Sequence, residues 1–410
     1  MGDKDHGLSF RSITEPLLRS RSGGIVAALT FSTLATGMLT ICVPLELRRI
    51  GAGPGQIGLT LSMFGFGMFA FEGVWGIVAD RAGYRRPLIA SQLLYALFIA
   101  ALSFAASVPL IAVAYFFACG MMVAVGPIAR SYLGTALHPH LRATGLAMLA
   151  SQWAIAEAVG AGVGGPLIDR VPIHTVVLLA AVLPVLSALV LIYVFRNFRE
   201  TDRHGADRTA GVFGGRQVLR VLAITASLVL LVQIGLGGEL ALLPLLVTDR
   251  LQLSAGAAGA AMLAVGLMAG VLLIPGGRAA DRWGRRRTMI AGGVITAGGY
   301  VLYALSPSLA VVIAGAALRA LGAALIWPAA TAWVAESVPR ARHAFFMGVF
   351  GEFENIGVTI GPIVGGFVWS IAGIQGAFYA YAAAALLAGA VAAVTVAAPR
   401  RRPALESVTP

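Results

Sequence analysis

Apolar runs of helix-spanning length follow one another along the whole chain, separated by short polar stretches. They occupy about 24–46, 56–78, 87–106, 109–136, 144–168 and 172–195, then about 217–247, 255–277, 288–306, 309–337, 345–369 and 373–397. Each is long enough to cross a hydrocarbon core of roughly 30 Å. Backbone groups in lipid must satisfy their own hydrogen bonds, so the runs are expected to be helices. The pattern predicts an all-α integral membrane protein with twelve spans in two pseudo-symmetric six-helix bundles.

Composition agrees with that solvent. Hydrophobic residues make up 58% of the 410 and charged residues 12%, with a mean hydropathy of +0.86. A soluble domain carries about 25% charged residues. Glycine is abundant at 51 residues, and small residues let membrane helices approach closely. The net charge of +12 suggests nucleic acid at first sight. The arginines instead form short clusters between apolar runs, with no basic face interleaved with aromatics, so no nucleic-acid partner is expected.

The basic residues also predict orientation. With the N-terminus inside, 24 of the 30 basic residues fall in cytoplasmic segments, and Arg48, Arg49, Arg170 and Arg250 fall outside; Arg130 and Arg319 lie within spans. That asymmetry is a positive-inside signal, so both termini are expected in the cytoplasm. Residues 1–22 lack an apolar region before a small-residue cleavage site, and no cleaved signal is expected. Lys4 is the only lysine, and the Arg, Ala and Gly richness points to a GC-rich bacterial genome and to its cytoplasmic membrane. The expected organisation is a tail at 1–23, a bundle at 24–195, a linker at 196–216, a second bundle at 217–397 and a tail at 398–410.

The halves look like repeats. Gly76, Ala79, Asp80, Arg81, Gly83, Arg85 and Arg86 follow the second span. Gly277, Ala280, Asp281, Arg282, Gly284, Arg286 and Arg287 follow the eighth in the same spacing. Asp80 and Asp281 are 201 residues apart (281 − 80), close to half the chain. Duplicated halves are a common construction of secondary transporters. Glycines here suit tight helix packing and a sharp turn, while the aspartates suit a helix N-terminus or an arginine partner.

This loop, G-x-x-A-D-R-x-G-x-R-R, resembles the signature loop of the major facilitator superfamily, with a weaker counterpart where that family places one. The resemblance covers span count, topology, central linker and both motif copies. It implies a conformational latch built from the loop residues named above, one that stabilises the outward-facing state. Topology and packing alone are the plainer reading. A second stretch, Gly357, Gly361, Pro362, Gly365 and Gly366, reads G-x-x-x-G-P-x-x-G-G. It resembles the motif that drug:proton antiporters of the superfamily carry in span five. Here span five holds only Gly160-Ala-Gly162-Val-Gly164-Gly165-Pro166, and the intact copy sits in span eleven.

Charges inside spans cost about 2.5–3.5 kcal/mol each at the bilayer centre, so they mark function or pairing. A carboxylate held out of water resists ionisation, which suits a proton carrier. Glu239 and Glu157 are the preferred carriers. Glu72 and Glu354 follow, and for these two, as for Glu352, an ion pair or a cap is the favoured reading. Arg130, Gln152, Gln233 and Arg319 are candidates for a substrate cavity, with Trp75, Trp153, Trp327, Trp333 and Trp369 as aromatic lining. Cys42 and Cys119 read as buried small hydrophobes, and no metal site, phosphate loop or nucleophile–base set emerges.

The sequence therefore predicts a non-enzymatic, cofactor-free, monomeric transporter working by alternating access near the bilayer midplane. Its expected partners are a small-molecule substrate, protons and membrane lipids. Proton-coupled efflux of a small apolar or amphipathic compound is the first expectation. Proton-coupled uptake of a small metabolite, anionic if Arg130 faces the cavity, is the second. A transporter-like receptor or lipid scramblase is the third.

Overall fold

The computed structural model describes residues 21–126, 128–129, 142–196, 216–337 and 343–396. Its elements are α1 (Arg21–Arg49), α2 (Pro54–Leu61), α3 (Met63–Ala82), α4 (Arg85–Ser103), α5 (Val108–Met122), α6 (Arg142–Ile168) and α7 (Ile173–Val194). The second half runs α8 (Arg216–Leu245) with a π turn at Leu246–Arg250, α9 (Ala255–Trp283), α10 (Arg285–Leu305), α11 (Leu309–Ser337) and α12 (His343–Thr395). Nine stretches among the described residues are long and apolar enough to cross a membrane, and one of them, Gly348–Thr395, has the length of two spans. Of the expected linker and tails, only residues 196, 216 and 21–23 are described.

Three expected spans differ in detail. The second is two helices, α2 and α3, meeting at Ser62, whose hydroxyl bonds back to the Leu59 carbonyl at 2.6 Å. The eleventh and twelfth are one hydrogen-bonded helix interrupted at Gly373, where φ is +72° and only glycine turns without strain. The π turn begins two residues after Pro244, which has no N–H to give to the helix ladder.

The packing follows the repeat. In the first half α1 lies against α6 and α7, α4 against α5 and α7, and α3 against α5. In the second half α8 lies against α12, α10 against α11 and α12, and α9 against α11. The halves meet mainly through α6 with α9 and through α12 with α2 and α3, a pair of contacts related by exchanging the halves. Lipid offers no hydrophobic drive for helix association, so close van der Waals approach has to hold these pairs.

Glycines supply that approach. A side chain at Gly160 would collide with the Leu34 carbonyl of α1, and one at Gly361 with the Ile234 carbonyl of α8. Gly357 meets Gln233 in the same way, while Gly365 admits the Tyr381 ring. Gly165 abuts Gly259 across the halves, and Gly366 abuts Gly58. The span-five glycines and the span-eleven motif thus do the same packing work in opposite halves. Each presents one stripe to its own half and one to the other.

Candidate functional site

The two ends of the molecule differ. At the end away from the arginine loops, the halves are sealed by the Gly58–Gly366 and Gly165–Gly259 contacts. Asp169, at the end of α6, accepts the N–H groups of Ala255 at 3.0 Å and Gly256 at 2.8 Å, capping the start of α9. Arg48 pairs with Asp249 at 2.6 Å, joining the end of α1 to the π turn. Along the α3–α12 seam, Gly65 abuts Thr359, and Asn355 donates to Glu72 at 2.7 Å.

Beyond Glu72 the seam parts. A side chain at Gly73 or Gly76 on α3, or at Gly348 or Gly351 on α12, would meet nothing within 4 Å. The result is a cleft open toward the arginine loops and closed at the other end. Near its closed apex lies a cavity of about 280 Å³ lined from both halves, by Thr40, Phe64, Tyr115, Leu240, Val358 and Pro362 among others.

Polar side chains gather around the cleft. Glu354 accepts Trp327 Nε1 at 2.7 Å and Gln233 Nε2 at 3.1 Å on the same oxygen. Three helices, α8, α11 and α12, converge on that carboxylate. In the first half Gln152 donates to Thr33 at 3.4 Å, tying α6 to α1. Trp153 donates to Glu157 Oε2 at 3.1 Å, while Glu157 Oε1 is buried with no hydrogen-bond partner.

Glu239 and Arg319 are placed otherwise than expected. Glu239 is 1% exposed and pairs with Arg319 Nε at 2.8 Å, and Tyr303 donates to its other oxygen at 2.7 Å. Tyr300, Tyr303, Phe378 and Tyr381 stack edge to face around this pair. Both charges therefore lie inside the second half, neutralised by each other, and Arg319 does not line the cleft. Arg130 lies outside the described residues.

The loop residues are split in their contacts. Gly83 and Gly284 have φ of +78° and +84° at the turns that end α3 and α9. Asp281 pairs with Arg285 at 2.7 Å, and Arg286 donates to the Ala393 carbonyl near the end of α12. Asp80, Arg81, Arg86, Arg282 and Arg287 are exposed, and Arg85 is partly covered. Gly277 faces only Pro328 of its own half.

Sequence reasoning missed Asn355, Asp169 and Tyr303. Asn355 had a readable signal, an amide next to Glu354 inside an apolar run. Asp169 is one of only 18 acidic residues and closes a span, which also singles it out.

The family profile described as Major Facilitator Superfamily matches residues 25–238 and 225–410. An uncharacterised MFS-type transporter of Mycobacterium tuberculosis is 35% identical over 161 residues, which are 37% of this chain and 37% of that protein. That alignment spans little more than a third of the relative's length. The class C tetracycline resistance protein of Escherichia coli is 23% identical over 348 residues, 83% of this chain and 87% of that protein. The solved structure of a bacterial homologue of the human lysosomal transporter Spinster, in an inward-facing and unoccupied conformation, superposes with a TM-score of 0.77. It does so at 14% identity over 96% of this chain and 98% of that one, a likeness of fold. With its all-helical membrane fold, its two related halves and a profile match along nearly its whole length, the chain belongs to the Major Facilitator Superfamily of membrane transporters.

Proposed function

We propose that this transporter expels small apolar or amphipathic compounds by alternating access, driven by protons moving inward. The cleft open at one end and sealed at the other carries this reading, because such an asymmetry is one of the two states the cycle requires. The arginine bias makes the open end cytoplasmic, so the state is loaded from inside. Similarity to a tetracycline resistance protein over most of both chains supports the outward direction.

Coupling needs a carboxylate whose protonation differs between the two states. Glu157 fits that role best, since one of its oxygens is buried without a partner while the other is held only by Trp153. Glu239 is already compensated by Arg319 and is a structural charge in this reading. The loop around Asp80 acts as the latch that closes the cytoplasmic end, and it is disengaged here, with open space at Gly76.

Purified protein in vesicles with an imposed pH gradient tests the proposal with an amphipathic fluorescent dye. Dye should move against the proton flow, and Glu157→Gln should abolish gradient-driven accumulation while leaving binding within about tenfold. Flux blind to the gradient, co-movement with protons, or wild-type accumulation by Glu157→Gln would each overturn it.

A further inference from the structure

The Trp327–Glu354 pair has a feature that packing does not account for. Trp327 keeps 38% of its surface exposed. Its N–H reaches Glu354 at 2.7 Å, and the neighbouring Asn355 reaches Glu72 of the other half at 2.7 Å. The exposed indole face therefore lies on the cleft, between α11 and the seam. Gln233 and Trp327 both donate to Oε1 of Glu354, which fixes the carboxylate beside the ring.

Charge at this depth is one-sided. Glu72, Glu352 and Glu354 lie within three residues' span of the seam on α3 and α12, and Glu352 Oε2 has no hydrogen-bond partner. Among the described residues, the arginine inside the neighbouring helices is Arg319, and Glu239 neutralises it. An aromatic face attracts a cation through its quadrupole, and a nearby carboxylate adds an attraction that the surrounding apolar medium screens weakly. A neutral substrate gains little from either group, and an anion is repelled by one of them.

We infer that Trp327 and Glu354 form a subsite for organic cations, so that the preferred cargo is a lipophilic monovalent cation with bulky apolar groups. The inference rests on the transporter reading above and narrows its substrate class. The apolar cavity lined by Phe64, Leu240 and Val358 accommodates the apolar body, while the indole and carboxylate take the charge.

Tetraphenylphosphonium and tetraphenylborate have nearly the same shape and opposite charge, which isolates the electrostatic part. Equilibrium binding to the purified full chain in nanodiscs should show the phosphonium bound at least about tenfold more tightly than the borate. Glu354→Gln and Trp327→Leu should each weaken phosphonium binding by about tenfold or more, and Trp327→Phe, which keeps a ring face, by less. Should Glu354→Gln fail to give monodisperse protein, the Trp327→Leu and Trp327→Phe comparison carries the test alone. Equal affinity for the two ions, no phosphonium binding, or wild-type affinity in Trp327→Leu would overturn the subsite. Gradient-driven efflux of a neutral dye surviving such a result would leave the broader transport reading standing.

Discussion

Glu239 and Arg319 show how an ionised group is kept inside a membrane bundle. Each would be expensive alone, and here each is held against the other at 2.8 Å with the Tyr303 hydroxyl completing the carboxylate. Removing one member leaves the other buried and uncompensated, which costs about 3–5 kcal/mol. Glu239→Gln should therefore lower the thermal unfolding midpoint in detergent clearly, and adding Arg319→Gln to it should restore much of the loss. A single variant as stable as wild type would mean that the pair is not the structural unit described. The sequence exposed both residues, because a charge in an apolar run stands out. It did not expose their pairing, since they are 80 residues apart (319 − 239) on helices whose adjacency only the packing reveals. Glu354 was legible for the same reason, and its Trp327 and Gln233 partners were hidden for the same reason.

At the level of helices, glycine spacing was the most readable feature. Gly357 and Gly361 lie one turn apart and pack where α12 meets α8, as the G-x-x-x-G pattern implies. The break at Ser62 and the continuous α12 were not legible. Both depend on whether a short polar or glycine-bearing turn ends a helix or is carried through it, which apolar run length does not report. The glycines also divide into two kinds that sequence alone does not distinguish. Gly361 is in contact with another backbone, whereas Gly76 faces open space. Gly361→Leu should sharply reduce the yield of monodisperse protein. Gly76→Leu should fold as wild type yet slow transport, because closing the cytoplasmic end brings another helix against it. Size-exclusion profiles and vesicle uptake rates check both, and full transport by Gly76→Leu would remove this glycine from the moving interface.

The whole molecule is two related bundles meeting at α6–α9 and at α2/α3–α12. The duplicated loop and the 201-residue spacing of Asp80 and Asp281 made that plan legible. Which end is open was not legible, because it depends on contacts across the seam and not on either half. The seal at Asp169, Arg48–Asp249 and the paired glycines must part when the cleft closes at the arginine loops, if one site is to face each side in turn. The most direct measurement follows two distances across the seam at once, by pulsed electron resonance in nanodiscs on a background with Cys42 and Cys119 replaced. One label pair is Arg86→Cys with Arg287→Cys at the open end; the other is Gly51→Cys with Leu253→Cys at the sealed end. The account predicts anticorrelated shifts when the pH or an added substrate is changed: the first pair shortens as the second lengthens. Distances that stay fixed in transporting protein, or that lengthen and shorten together, would contradict it.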